Sequence, residues 1–204
     1  MNARTRLLAV LLLAAPFAPS CSCGEVGSED DARLAYLGVD DAVTRALALG
    51  FAGFNAASSA NIPAQADSGD ESGTMDVTGQ VDQGASANKG MRLQVALTDY
   101  SDGAIDDPET DEEEQLAIVY ATADGAPLAL ELQLRDIPTG TLSGTLAGTV
   151  TMSGDLEGDL ELAIDFAGTI EDDGAGGTER VVGSTDVSGT ATSANGSYDI
   201  DTTL

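Results

Sequence analysis

Apolar and polar residues alternate along most of the chain, most regularly between Thr141 and Glu171. Every even position from Leu142 to Ile170 carries an apolar residue or glycine, and the odd positions carry Thr, Ser, Ala, Asp or Glu. A period of two places successive side chains on opposite faces of a β-strand, whereas a helix repeats every 3.6 residues. The stretch exceeds ordinary strand length, so we expect two strands joined by a turn near residues 153–159.

Shorter alternating segments ahead of this stretch predict four further strands. Residues 58–73 are rich in Ser, Ala, Asp and Gly and predict a loop, and residues 84–90 predict a turn. In each strand the apolar residues share one face, as in a half-buried antiparallel sheet. The apolar positions are Met75, Val77 and Val81; Leu93, Val95 and Leu97; Leu116, Ile118 and Tyr120; and Leu128, Leu130, Leu132 and Leu134.

The C-terminal residues predict a last hairpin. Asn195-Gly196 is a strong signal for a two-residue type I′ turn. Val187 and Ala191 share a parity, so both strands present their apolar residues on the same side of the sheet. Centred on this dipeptide, the turn predicts three cross-strand pairs: Ser193 with Tyr198, Ala191 with Ile200, and Val187 with Leu204.

One segment ahead of the strands has a helical period. Ser28 followed by Asp31 resembles a capping box, and a second helix start is predicted at Asp40-Asp41, where acidic residues favour the positive end of the helix dipole. An apolar stripe with helical spacing predicts a face that docks on the protein's own sheet. The stripe consists of Val43, Leu47, Phe51 and Phe54.

These segments predict a mainly β domain with about eight antiparallel strands in a meander, curled into a barrel or half-barrel and preceded by one N-terminal helical segment. Closure of the sheet, or a covering helix, protects its edges. A tetrapeptide theme, as in Ser143-Gly-Thr-Leu146 and Ala167-Gly-Thr-Ile170, places glycine on the inward face. We interpret these glycines as sites of sheet curvature. A two-sheet β-sandwich is the alternative.

The first twenty residues differ from the rest of the chain. Arg4 and Arg6 precede an unbroken run of nine apolar residues from Leu7 to Ala15, and small residues follow. This is the order of a secretory signal peptide, and the run is shorter than the roughly 20 residues that a membrane-spanning helix needs. We therefore predict a signal peptide over residues 1–20.

The signal ends in Ala18-Pro19-Ser20-Cys21-Ser22-Cys23. This end resembles that of bacterial lipoproteins, in which a small residue precedes a cysteine that becomes diacylated at sulfur. The resemblance covers the signal alone and implies a lipid anchor at Cys21, with a membrane as partner through that lipid. Ordinary signal peptidase cleavage after Ser20 would instead release a secreted protein, and Cys23 is the other candidate anchor. A Cys21–Cys23 disulfide would close a very small, strained ring.

This interpretation divides the chain into three parts: a signal peptide over 1–20, an acidic lipid-anchored tether over 21–31, and a single β-rich domain with its helix over 32–204. The segment Gly24 to Asp31 is polar, acidic and glycine-containing, as expected of a tether. The same resemblance to bacterial lipoproteins implies the outer membrane as the site of anchoring, because Ser22 rather than Asp follows Cys21. We expect a location in the cell envelope.

Acidic residues dominate the charged part of the composition. Removal of the signal leaves six basic against 35 acidic residues, a net charge of −29, and the chain has no histidine. Nucleic-acid binding depends chiefly on Lys and Arg that displace counterions from phosphate, so nucleic acid is excluded as a partner. Anionic lipid headgroups are repelled in the same way.

One acidic loop is the best candidate for a metal site. Calcium prefers such clusters of oxygen ligands. The loop does not match the spacing of a calcium-binding EF-hand, and exposed carboxylates repel one another only weakly in water, so a solvated loop is the preferred interpretation. Its acids are Asp99, Asp102, Asp106, Asp107, Glu109, Asp111, Glu112, Glu113 and Glu114.

The remaining motifs point to structure rather than chemistry. Asp155, Glu157, Asp159 and Glu161 alternate on an outer face, where they solubilise an edge. Ser86-Ala-Asn-Lys89 matches S-x-x-K but lies in a turn and lacks the partner motifs of penicillin-recognising enzymes. Residues 172–177 form a glycine-rich turn without the lysine of a phosphate-binding loop. We predict no catalytic residue, no cofactor and no metal site.

The function expected from the sequence is that of a non-enzymatic cell-envelope lipoprotein. Its role is binding or scaffolding, with an apolar ligand or an envelope protein as partner. A curved sheet lined by Leu, Ile, Val and Phe166 is one place for an apolar ligand, and a filled core is the alternative. Two other classes stay open, a transmembrane β-barrel and a calcium-binding secreted surface protein. An enzyme that uses carboxylates alone ranks last.

Overall fold

The computed structural model describes residues 24–56, 59–106, 115–174 and 177–204. In this part of the chain one helix is followed by strands, as the change of period predicts. Helix α1 spans Glu29–Ala56. The strands are β1 (Gly24–Glu25), β2 (Gln65–Ser68), β3 (Ser72–Val81), β4 (Lys89–Ser101), β5 (Ala104–Asp106), β6 (Gln115–Ala121), β7 (Leu128–Arg135), β8 (Gly140–Gly154), β9 (Leu156–Asp172), β10 (Thr178–Arg180), β11 (Asp186–Ser193) and β12 (Gly196–Thr203).

The predicted mainly β class is confirmed, and the sheet is antiparallel with one helix ahead of it. Eight of the described strands have seven residues or more, and they coincide with the eight predicted from alternation. The other four, β1, β2, β5 and β10, have two to four residues each and carry too few alternating positions to be recognised.

All twelve described strands belong to one sheet, so the sandwich alternative is wrong. Its order is β12-β11-β9-β8-β6-β4-β3-β2, and β7 continues the row of β6 between β4 and β8. Strand β1 pairs with β9 in parallel, whereas the long strands pair antiparallel. The path begins at β12 and ends at β2, which makes the sheet an open half-barrel rather than a closed barrel.

The long alternating stretch forms the β8–β9 hairpin. The two strands break at Asp155, inside the predicted turn, and pair from Met152 with Gly158 to Gly140 with Ile170. Gly144 supports the curvature interpretation of the glycines, since a Cβ there would lie 2.8 Å from the Phe166 ring. The absent side chain lets that ring pack against the sheet.

Helix α1 docks on the sheet, as its apolar stripe predicts, and it is buried on more than one face. All six residues from Ala35 to Asp40 are buried. A Cβ at Gly38 would lie 2.4 Å from the Tyr120 hydroxyl, and that hydroxyl donates a hydrogen bond of 2.9 Å to the Ala35 carbonyl. The concave side of the sheet is therefore occupied by the helix, and Phe166 belongs to the same core.

The helix begins where the sequence predicts and does not restart. The Ser28 hydroxyl accepts a hydrogen bond of 3.1 Å from the Asp31 amide, and the Asp31 carboxylate accepts one from the Gly27 amide. The second start predicted at Asp40-Asp41 is wrong, because both residues lie inside one continuous helix. The guanidinium of Arg180 pairs with the Asp40 carboxylate, which explains how a charged residue is accommodated in the middle of the helix.

The pairing predicted for the last hairpin is wrong by two residues. Ser193 pairs with Gly196, Ala191 with Tyr198 and Val187 with Thr202, so the two turn residues are Ala194 and Asn195. A shift of two preserves the faces of a strand, and Val187, Ala191 and Ile200 are buried as expected. The Ser193 hydroxyl and the Asn195 side chain both donate to the carbonyl of Val26, a long-range contact that the turn signal does not contain.

Two segments predicted as irregular take part in the sheet. Gln65–Ser68, inside the predicted loop, forms the outermost strand β2 on β3. Gly24–Glu25, inside the predicted tether, pairs with Leu156 and Glu157 of β9. The next residue, Val26, is fully buried, and α1 starts at Glu29. Residues 24–31 are thus part of the folded domain rather than a free tether.

Candidate functional site

Part of the sequence-predicted sites falls outside the described residues. Cys21 and Cys23 lie there, and so do Asp107, Glu109 and Asp111 to Glu114 of the acidic loop. Its other members, Asp99, Asp102 and Asp106, are described. Within the described ranges no three potential ligand side chains come together around one point where a metal ion would sit.

Asp102 has a structural partner. Its carboxylate accepts hydrogen bonds from Arg45 at 3.0 Å and from the Tyr100 hydroxyl at 2.5 Å. Arg45 also contacts Asp67 at 3.0 Å and Asp70 at 2.9 Å. Arg45 of α1 therefore connects β2, the β2–β3 turn and the end of β4. The three carboxylates that it contacts stabilise the fold.

The other predicted acids stabilise turns and strand ends. The Asp155 carboxylate accepts from the Ala117 amide at 2.8 Å, and Asp159 accepts from the Thr151 hydroxyl at 2.7 Å. In the turn after β9, Asp172 accepts from the Gly174 amide at 2.8 Å. Backbone and hydroxyl donors of this kind are a sufficient use for a carboxylate at the surface.

A buried ion pair joins α1 to β10. No pattern in the sequence predicts this pair. The Arg180 guanidinium makes a two-pronged contact with the Asp40 carboxylate, at 3.0 Å for one nitrogen and shorter for the other, and it also reaches the Thr44 hydroxyl. The Tyr36 hydroxyl donates to the same carboxylate at 3.1 Å. Burial by itself lowers the pKa of Arg180, but hydrogen bonds and charge from Asp40 outweigh it and raise that pKa.

This pair positions the neighbouring strand. Side chains of Asp40 and Arg180 are only 8% and 11% exposed, so the pair holds β10 firmly against the middle of the helix. Thr178 lies two residues before Arg180 on the same side of β10 and is buried as well. The ion pair thereby fixes one wall of the pocket described next.

The candidate site is a pocket of about 390 Å³ at the end of the half-barrel where α1 terminates, here called the end pocket. Four parts of the fold meet there: the last turns of α1, the β3–β4 connection with the start of β4, the β7–β8 turn, and the residues at the end of β9 and the start of β10. Most of its lining is apolar. The residues that line it are Phe51, Phe54, Ala85, Ser86, Ala87, Lys89, Ile137, Pro138, Asp172, Gly177 and Thr178.

Lys89 provides the positive charge in this pocket. It is the first residue of β4 and faces inward, and only 7% of it is exposed. Its ammonium donates to the Gly84 carbonyl at 2.6 Å and lies 5.1 Å from the centre of the Phe54 ring, a cation–π contact. Among the described residues no carboxylate oxygen lies within ion-pair distance of this ammonium.

Thr178 provides a second polar group. The residue is 4% exposed, and its hydroxyl has no hydrogen-bond partner in the described part of the protein. A buried hydroxyl without a partner costs about 1–3 kcal/mol relative to a paired one. The end pocket therefore combines an apolar lining with two incompletely paired polar groups.

Sequence reasoning assigned Lys89 only to the S-x-x-K coincidence. Ser86 and Lys89 do line the same pocket, but Ser86 lies in a connection, where its hydroxyl accepts from the Asn88 amide at 3.1 Å. No helix begins there, so the arrangement differs from that of the penicillin-recognising enzymes. The alternation along β4 does place Lys89 on the same inward side as Met91 and Leu93, and this pattern could have revealed that Lys89 is buried.

Comparisons with protein-family models, curated proteins and solved structures each found no match. Within the described ranges, no helix combines the length and apolar character needed to cross a membrane.

Proposed function

We propose that this chain is a non-enzymatic lipoprotein of the cell envelope, anchored through Cys21, whose domain binds a small, largely apolar ligand in the end pocket. The observation that carries the binding role is the combination, in one cavity, of apolar walls with a few polar groups, which is the usual composition of a small-molecule site. At about 390 Å³, the cavity lies within the usual size range of such sites, roughly 300–1,000 Å³.

The place of the ligand differs from the one first expected. Helix α1 occupies the concave side of the sheet, and Phe166 is 5% exposed in the core beneath it. An apolar ligand therefore has room at the end of the half-barrel rather than along its interior.

The proposed anchor at Cys21 lies directly ahead of the folded domain. Gly24 is already in a strand, and the Val26 carbonyl accepts hydrogen bonds from Ser193 at 2.8 Å and Asn195 at 3.2 Å. A lipid on Cys21 would hold the domain within three residues of the bilayer surface. The strong negative charge of the protein would keep anionic headgroups from adhering to it elsewhere.

The mass of the purified protein tests the anchor. The proposal predicts a mature chain that begins at Cys21 and carries the mass of the acyl groups, and that loses this mass in Cys21→Ser. The matched variant Cys23→Ser should keep the acyl groups. An unmodified N-terminus, or acylation that survives Cys21→Ser, would refute the anchor at this residue.

Binding of a neutral probe tests the pocket. We expect octan-1-ol to bind the Cys21→Ser protein, and we expect Ala87→Phe, which fills the pocket, to abolish binding. Ala126→Phe, in the exposed β6–β7 turn, is the matched control and should bind normally. Isothermal calorimetry and native mass spectrometry report the complex. Absence of uptake, or uptake unaffected by Ala87→Phe, would end the proposed binding role.

A further inference from the structure

We infer that the end pocket takes an organic acid, with its carboxylate on Lys89 and its hydrocarbon chain against the phenylalanine walls. This inference rests on the proposed function, since it names the ligand class of the same pocket. It follows from two features of that pocket: the charge that is buried there and the size of the apolar space.

The ammonium of Lys89 can donate more hydrogen bonds than the described protein accepts from it. An ammonium carries three N–H donors, and the described protein provides one acceptor, the Gly84 carbonyl at 2.6 Å. The Phe54 ring adds a weaker attraction at 5.1 Å but accepts no strong hydrogen bond. Buried charges are normally paired or fully hydrogen-bonded, so this arrangement favours an anion as the missing partner.

Thr178 lines the same pocket, but its hydroxyl is closed off in the ligand-free protein. It is buried, lacks a partner among the described groups, and belongs to a residue that lines the same cavity as Lys89. The ammonium of Lys89 is therefore the group that donates to the oxygens of a carboxylate ligand. Charge-assisted hydrogen bonds of this type are about twice as strong as neutral ones.

The neighbouring charges leave Lys89 available. Among the described residues that line the pocket, Asp172 alone has a carboxylate, and it is exposed and accepts from the Gly174 amide. Asp82 is near enough for the charge of Lys89 to contribute to its lowered pKa, but a hydrogen bond from Arg92 is the main cause of that shift. The net negative charge of the whole protein is screened beyond a Debye length of about 8–10 Å in ordinary salt.

The apolar space sets the length of the acid. If each heavy atom takes roughly 30 Å³, the share of a water molecule in the liquid, then 390 Å³ accommodates about a dozen atoms. Phe51, Phe54, Ile137 and Pro138 supply apolar walls for the chain. A medium-chain fatty acid such as octanoic acid satisfies both the charge and the volume.

Calorimetry with octanoate and octan-1-ol tests the inference on the full chain carrying Cys21→Ser. The two probes share a hydrocarbon chain and differ in the head group. We expect octanoate to bind about tenfold or more tightly than octan-1-ol at neutral pH, which is the effect of hydrogen bonds to a charged group. Lys89→Met, which replaces the ammonium with an unbranched apolar side chain one atom shorter, should remove this preference.

A further variant separates folding defects from loss of recognition. Lys89→Arg should retain the preference, because it keeps a positive charge at this position. Equal affinity of the Cys21→Ser protein for the two probes would overturn the inference while leaving the proposed apolar site intact. A preference for octanoate that survives Lys89→Met would do the same. Failure of the wild type to bind either probe would overturn both. Because the first comparison uses the wild-type residues, a variant that fails to fold does not prevent the test.

Discussion

Substitution of Asp40 by Asn would leave the charge of Arg180 buried without its partner. The Asp40 carboxylate accepts both prongs of the guanidinium and the Tyr36 hydroxyl, and it is 8% exposed. Burial, together with the charge of Asp40 and its hydrogen bond, raises the pKa of Tyr36, so this hydroxyl stays neutral and cannot replace the carboxylate. The guanidinium is charged at any pH at which the protein would be studied.

The magnitude follows from the cost of an uncompensated buried charge. Removal of one partner from a buried ion pair typically costs about 3–5 kcal/mol. The total stability of a folded protein is typically about 5–15 kcal/mol, so the loss is a large part of it. For a protein of this size each kcal/mol corresponds to roughly 2–4 °C in Tm, which predicts a fall of about 6–20 °C.

Urea unfolding followed by circular dichroism measures the effect. We expect a lower midpoint with an unchanged slope, since the surface exposed on unfolding stays the same. Asp201→Asn is the matched control, because Asp201 is an exposed residue of β12 and its substitution removes one negative charge as well. The double variant Asp40→Leu with Arg180→Met should recover most of the loss. An Asp40→Asn protein within about 0.5 kcal/mol of Asp201→Asn would refute the reasoning.

Three further predictions concern single side chains. Thr178→Val should stabilise the ligand-free protein by about 1–3 kcal/mol, because a methyl group replaces a buried hydroxyl that lacks a partner; a loss of stability in urea unfolding would contradict this. Gly38→Ala should lower the free energy of unfolding by about 1–3 kcal/mol despite the better helix propensity of alanine, because its Cβ would lie 2.4 Å from the Tyr120 hydroxyl. A second substitution, Tyr120→Phe, should relieve part of this loss. Equal urea midpoints for wild type and Gly38→Ala would argue against such close packing. Burial and the charges of Asp40 and Asp102 raise the pKa of Asp41 above its ordinary 3.8, so its ionised form opposes folding. Asp41→Asn should be more stable than wild type above that raised pKa, and this difference in stability should shrink on acidification and vanish below pH 3.8. Urea unfolding at a series of pH values measures the difference. A difference that grows toward acid would exclude the ionisation of Asp41 as its cause.

Local pattern was sufficient for the strands and their faces. In β7 the apolar residues from Leu128 to Leu134 are buried and the residues between them exposed, as a period of two requires. The turn at Asp155 and the start of the helix near Ser28 were also predicted. These features depend on residues a few positions apart, so the sequence contains the relevant contacts.

Other features depended on contacts between distant segments. The last hairpin shifted by two residues where Ser193 and Asn195 bind the Val26 carbonyl, and a shift of two leaves the faces of a strand unchanged. Alternation alone therefore cannot distinguish the two registers. The edge strand β2 is mostly exposed, so it has no apolar period that would reveal it.

The chain by itself determined a pleated sheet with one apolar side, a helix ahead of it and a strongly acidic surface. Only the tertiary structure decided that this helix lies in the hollow of the sheet, that Asp40 meets a base 140 positions away, and that Lys89 and Thr178 share one pocket. The physical reason is that periodicity states which side of an element avoids water. It does not state which other element covers that side, and so it cannot tell which buried polar groups find partners and which are left for a ligand.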